Sequence, residues 1–155
     1  MVNRCRGFTL LELMIVIVVV GVLLGMVSLA TSVNPARQAL QDANAMVHVM
    51  GQLRERAVLE GREYGLRLSA DGYRVMRQGD RGWEPMAMLY RWPENVRPRL
   101  LQDGYALSLG ADEGAPQLLI YSSDETSAFT LTLGSGNRTW LSLSSDGIGE
   151  VVIDG

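Results

Sequence analysis

One cysteine, one histidine and no lysine stand among 155 residues. A lone thiol, Cys5, cannot close an internal disulfide, so any folded part must rest on packing alone. Cys5 and His48 are far apart in sequence and offer no metal-ligand spacing. The 14 basic residues are all arginines, set against 17 acids for a net charge of −3. A mildly acidic chain has no general attraction for polyanions, so nucleic acid is not an expected partner. Neither an internal repeat nor a Gly-x-Ser-x-Gly nucleophile elbow is present. Enzymatic activity therefore has no support at the level of residues, and neither a cofactor nor a small-molecule substrate is expected.

What the chain does have is a long apolar run near its start. From Leu13 to Val27 no side chain is polar, and the run continues to Val33 with only Ser28, Thr31 and Ser32 interrupting. A helix over 8–33 would be about 39 Å long, against a hydrocarbon core of about 30 Å, so it can span a bilayer. A cleavable secretory signal would have a shorter apolar region and basic residues where the acid Glu12 stands. Arg4 and Arg6 precede the run and the next arginine is Arg37. That asymmetry puts the N-terminus in the cytoplasm and the bulk of the chain across the membrane.

Glu12 is the anomaly. An acid near the middle of a membrane helix costs about 2–3 kcal/mol, less near the interface, so it needs a partner, a water path or the cytoplasmic headgroups. The stretch Gly7-Phe8-Thr9-Leu10-Leu11-Glu12, behind a short basic leader and ahead of the apolar run, resembles the N-terminus of type IV pilins and of type II secretion pseudopilins. The resemblance implies that a prepilin peptidase cuts between Gly7 and Phe8 and methylates the new amine of Phe8. The leader 1–7 would leave with Cys5, Arg4 and Arg6; 14 basic residues less those two leaves 12 against 17 acids, or −5. In a filament the carboxylate of Glu12 would neutralise the Phe8 amine of a neighbouring subunit. Two charges that are each costly in lipid become tolerable as a pair, so the acid favours assembly.

Beyond the span, Asn34-Pro35 suits either the start of a new helix or a kink in a continuous one. Ala36, Ala39, Leu40, Ala43, Met46, Val47, Met50, Leu53, Ala57 and Val58 then recur at intervals of three and four, which predicts an amphipathic helix ending near Gly61. Its methionines read as core filling. From Tyr64 the period becomes two. Tyr64–Leu68 and Tyr73–Arg77 form a hairpin about Ser69-Ala70-Asp71-Gly72, followed by a strand over 83–90. Five more short strands are expected over 106–109, 117–122, 128–133, 139–144 and 150–154, with 91–104 and 110–116 as loops. The class is α+β: a long pilin-like N-terminal helix, transmembrane then amphipathic, packed on an antiparallel meander or on two small sheets forming a sandwich. The expected divisions are the leader 1–7, a transmembrane helix 8–33, a periplasmic helix 34–62 and a β-rich domain 63–155.

The remaining candidates read as structural. His48 flanks the apolar face and is expected to be a satisfied or surface residue. Asp112-Glu113 and Asp124-Glu125 could offer oxygen ligands to calcium, but without EF-hand spacing they read as solvated turns. Gly134-Ser135-Gly136-Asn137 lacks the strand-to-helix context of a phosphate loop and reads as a hairpin.

A second resemblance lies in Leu53-Arg54-Glu55-Arg56-Ala57 through Gly61, then Tyr64-Gly65-Leu66, Gly72-Tyr73 and Trp83-Glu84-Pro85. Together these are similar to the H-type minor pseudopilins of type II secretion. The resemblance implies a structural subunit near the tip of a short periplasmic pseudopilus, helping to export folded proteins across the outer membrane. Its partners would be the prepilin peptidase, the major pseudopilin, other minor pseudopilins and the bacterial inner membrane, crossed once. The rival is a minor pilin of a type IV pilus, used in fibre priming or DNA uptake. Seven arginines between positions 54 and 81 are interspersed with five acids, a mixture that argues against DNA as the ligand.

Overall fold

The computed structural model describes residues 9–30 and 34–155, with the side chains of 24–30 left aside. The leader 1–7, the Gly7–Phe8 junction and residues 31–33 lie outside the described residues. The chain forms two compact units, Met1–Asn34 and Pro35–Gly155. The first holds α1, Leu10–Ala30; the second holds α2, Pro35–Glu60, and ten strands.

Proline at the first position of α2 suits a helix start, since its missing N–H would be unpaired there anyway. The other end is closed by Gly61 in the left-handed region at φ 60°, with the Arg62 amide donating to the Ala57 carbonyl at 3.3 Å. This is a Schellman closure, and it explains why the helix stops where the sequence pattern does. Ala39, Ala43, Met46, Met50, Leu53 and Ala57 form the buried face. Leu40 and Val58 are exposed, so the buried stripe is narrower than the periodicity predicts. Alanines at both ends let the helix approach the sheets closely, and the methionines fill the middle as expected.

The two-sheet alternative is the one realised, and every pairing is antiparallel. The first sheet holds β1 (Tyr64–Leu68), β2 (Gly72–Gly79), β3 (Gly82–Pro85), β4 (Tyr90–Arg91) and β7 (Leu118–Ile120), in the order β3-β2-β1-β7 with β4 also paired to β2. The second holds β5 (Arg97–Gln102), β6 (Tyr105–Leu107), β8 (Phe129–Ser135), β9 (Arg138–Ser145) and β10 (Val152–Asp154), in the order β10-β9-β8-β5-β6. Helix α2 lies against β1 and β7 of one sheet and β8 and β9 of the other. One core therefore serves both sheets, with Leu66, Ile120, Leu131 and Leu143 fully buried beneath the helix face.

Two expectations fail here for local reasons. The stretch 91–104 is not a loop: β5 runs through it and pairs with β8 from Arg97 to Leu101. Pro98 cannot donate to a ladder, which favours a loop in 91–104, yet β6 pairs only with Leu100–Gln102. At Pro98 the strand thus has a neighbour on one side only, where proline is tolerated. The strand over 83–90 is likewise broken, with β3 stopping at Pro85 and β4 resuming at Tyr90. Strand β4 reaches β2 because Gly72 lies opposite it; a Cβ there would overlap the Tyr90 carbonyl. The hairpin at 134–137 forms as expected, with a bulge between Leu133 and Gly134.

Candidate functional site

Thr9 caps α1. Its carbonyl accepts from the amides of Glu12 at 3.0 Å and Leu13 at 3.2 Å, and its Oγ1 also accepts from the Glu12 amide at 3.3 Å. Thr-x-x-Glu is the sequence of a capping box, and it fixes Glu12 in the first turn, where the helix dipole favours an acid. The Glu12 side chain is exposed and has no ion-pair partner among the described residues. The apolar side chains on either side of it are exposed as well, from Leu10 at 77% to Leu23 at 57%. They point in every direction round the helix, so no single face could dock on a core. Among the described residues no helix is long and apolar enough to cross a membrane, the described side chains of α1 ending at Leu23. Gly7 and Phe8 lie outside the described residues.

In the globular unit a second constellation centres on Arg54 of α2. Its Nε donates to Asp124 Oδ1 at 3.1 Å and its Nη2 to the Asp124 carbonyl at 2.8 Å. Nη1 and Nη2 also donate to the carbonyls of Gly149 at 3.0 Å and Ile148 at 3.3 Å. One guanidinium thus pins the turn after β7 and the loop before β10 to the helix. Between helix and loop lies an open groove of about 910 Å³ lined by Val47, Met50, Val58, Ile148 and Val151. His48 borders it, exposed and hydrogen-bonded to Gln52 at 3.1 Å. It is a surface histidine, as expected.

Asp112 departs from the expectation of a solvated turn. Its carboxylate takes Arg67 Nε at 2.8 Å and Arg74 Nε at 2.7 Å, and its side chain is 17% exposed. The hydrogen bond from Arg74, and then that from Arg67, hold its pKa below the ordinary carboxylate value against the opposing effect of burial. Arg67 also donates to the Gly114 carbonyl and Arg74 to that of Ala87. The loop 110–116 is thereby tied to β1 and β2. Asp124 is occupied by Arg54, so each acidic pair has one member already satisfied by a cation of its own chain. Among the described residues no group of three or more His, Cys, Asp or Glu is arranged to hold a metal.

Tyr73 stacks on Tyr90 at 4.9 Å between ring centres, and Trp92 tilts against it at 5.3 Å. Burial, with smaller contributions from Tyr90 and Asp42, pushes the Tyr73 phenol up to about 12. Asp42 is half-buried on α2, and its Oδ2 is buried without a hydrogen-bond partner. Burial raises its pKa.

The helix was expected over 8–33, so the cap at Thr9 was missed, although the Thr-x-x-Glu spacing signals it. The Arg54 and Asp112 clusters carry no such signal, since each joins residues 38 or more positions apart.

Comparison with known proteins bears on both regions. Residues 2–28 match the prokaryotic N-terminal methylation motif. The chain is 41% identical to type II secretion system protein H of Pseudomonas aeruginosa, over 92% of this chain and 91% of that protein. It is 31% identical to the protein of the same name from Klebsiella pneumoniae, over 84% and 87%. Among solved structures, the crystal structure of the minor pseudopilin EpsH of the Vibrio cholerae type II secretion system matches with a TM-score of 0.67 at 21% identity, covering 77% of this chain and 97% of that one. The solution structure of Escherichia coli GspH matches at 0.64 and 19%, covering 77% and 89%. These structural matches share the fold.

Proposed function

We infer the working role of this chain from one premise: it belongs to the family of type II secretion system protein H. It acts as a minor pseudopilin, a low-copy structural subunit near the tip of the periplasmic pseudopilus that helps move folded proteins across the outer membrane. The rival role in a type IV pilus draws no support from the relatives, which carry the secretion name.

Maturation begins on the cytoplasmic side, where a prepilin peptidase cuts between Gly7 and Phe8 and the Phe8 amine is methylated. The remaining chain is anchored once in the bacterial inner membrane with its bulk in the periplasm. Helix α1 is 21 residues long, and at about 1.5 Å per residue its rise is close to the ~30 Å of a hydrocarbon core. The observation that carries the reading is that Glu12 has no ion-pair partner among the described residues, at the head of a helix that is apolar on all sides. Its counter-ion is the Phe8 amine of the next subunit, the major pseudopilin or another minor one. Pairing removes two uncompensated charges from lipid at once, so a lone subunit is disfavoured against an assembled one.

Replacing Glu12→Gln keeps the shape and removes the charge. In cells holding the other pseudopilins, the variant should insert and be processed normally, while its crosslinking to the major subunit falls several-fold. Crosslinking at the wild-type level would overturn the pairing. Gly7→Ala should leave an uncut precursor, and normal processing would overturn the assignment of the scissile bond.

A further inference from the structure

The groove beside α2 has an uneven chemistry. Its rims leave large apolar side chains in water, with Val58 51%, Leu59 82% and Ile148 76% exposed. Three acids line it, Glu55, Asp124 and Glu150, against one arginine. That arginine is spent: Arg54 is paired with Asp124 and donates to the carbonyls of Ile148 and Gly149. Glu55 and Glu150 are exposed, one on the helix and one on the loop, and neither has an ion-pair partner among the described residues. The groove is therefore an apolar trough carrying two uncompensated negative charges.

It is also held ready. Asp146 accepts from the amides of Ile148 and Gly149 at 3.0 and 2.8 Å, and Arg54 holds the carbonyls of the same two residues. A loop fixed from both sides keeps Ile148 projecting without an ordering cost at the moment of binding. Apolar side chains at the centre with charges at the rim is the arrangement by which a groove selects an amphipathic segment of opposite charge.

We propose that this groove docks a basic amphipathic segment of a neighbouring filament subunit, with an apolar side chain between Val58 and Ile148 and an arginine or lysine on Glu55 and Glu150. The identity of the partner as a subunit rests on the secretion reading; the preference for a basic, apolar segment rests on the groove alone. The Glu12 contact lies in the other compact unit, so the two can fail separately.

The test uses the full chain in nanodiscs of zwitterionic lipid, which do not attract a basic peptide by charge. The photo-crosslinker benzoylphenylalanine replaces Ile148 in one sample and, as a control, Tyr105 in another. Tyr105 is 76% exposed on β6, at the far edge of the second sheet from β10. The probes are two synthetic helical peptides of leucine with arginine or leucine with glutamate, each about four turns long. The arginine peptide should crosslink at position 148 and not at 105, in a salt-sensitive manner, and the glutamate peptide at neither. The double variant Glu55→Gln, Glu150→Gln changes only exposed residues, so it should fold normally and lose about tenfold of the yield at 148. Equal yields from the two peptides, equal yields at the two positions, or full yield in the double variant would each overturn the proposal. If the Glu12 experiment succeeds while this one fails, the filament reading stands and the groove is not its contact.

Discussion

The two helices of this chain are similar in length, 21 and 26 residues, and opposite in what supports them. Helix α2 has one apolar face, and its own sheets cover it. Helix α1 is apolar all round, and no face is singled out for a core. The difference teaches where stability comes from: the second helix is held by its own chain, while the first, under the proposed anchoring, is held by lipid and other helices outside it. Glu12, without an ion-pair partner among the described residues, suits the proposal that a partner from outside brings the cation.

The sharpest way to break this contrast is to truncate side chains on each helix. Met50→Ala should cost the globular unit ~2–5 kcal/mol in denaturant unfolding, because Met50 is 1% exposed in the shared core and its cavity would not refill. Leu23→Ala on α1 should leave that transition unmoved. Equal losses from the two would erase the distinction.

Next in size is Arg54→Ala, which leaves two loops without their shared donor and should cost about 1–3 kcal/mol. Arg54→Lys should recover little, since an ammonium cannot reproduce the planar fork that meets Asp124 and two carbonyls together. Gly72→Ala should cost a similar or smaller amount, about 1–3 kcal/mol, by pushing β4 off β2. Hydrogen exchange should then rise at Tyr90 and Trp92 and not along β8 and β9.

The smallest effects are those of pH, and they run in opposite directions. Asp112 has a pKa below its ordinary value of 3.8, so its ion pairs contribute stability above that value, and the contribution is lost as pH falls through the depressed folded pKa. Asp112→Asn should abolish that part of the acid dependence. Asp42 has a raised pKa, so its ionised form weakens the fold once the pH exceeds 3.8. Asp42→Asn should therefore stabilise the protein at neutral pH, with the gain shrinking in acid. Denaturant midpoints measured from neutral pH downward decide both.

Much of this architecture could be read directly in the sequence, wherever the physics is local. The three-four spacing from Ala39 to Ala57, the Gly61 stop and the two-residue alternation of Phe129, Leu131 and Leu133 each act within one element. What escaped depends on contacts between distant segments. Strand β5 was hidden because Pro98 is disqualifying in a strand with neighbours on both sides, and nothing local says that β6 stops short of it. Arg54 looked like one more polar residue of an amphipathic helix; its partners arrive from positions 124, 148 and 149. Asp112 looked solvated for the same reason. At the head of α1 the Thr9-x-x-Glu12 spacing carried a capping signal that the expected helix over 8–33 passed over, and the counter-ion of Glu12 is proposed to come from another chain.

The central claim is that processing creates a cation at Phe8 for a neighbour's Glu12 to meet, and intact mass analysis of the protein from membranes of cells containing the prepilin peptidase tests it most directly. The account predicts a chain that begins at Phe8 and carries one added methyl group on its N-terminal amine. A chain that still contains Cys5, or begins at any residue other than Phe8, would contradict it.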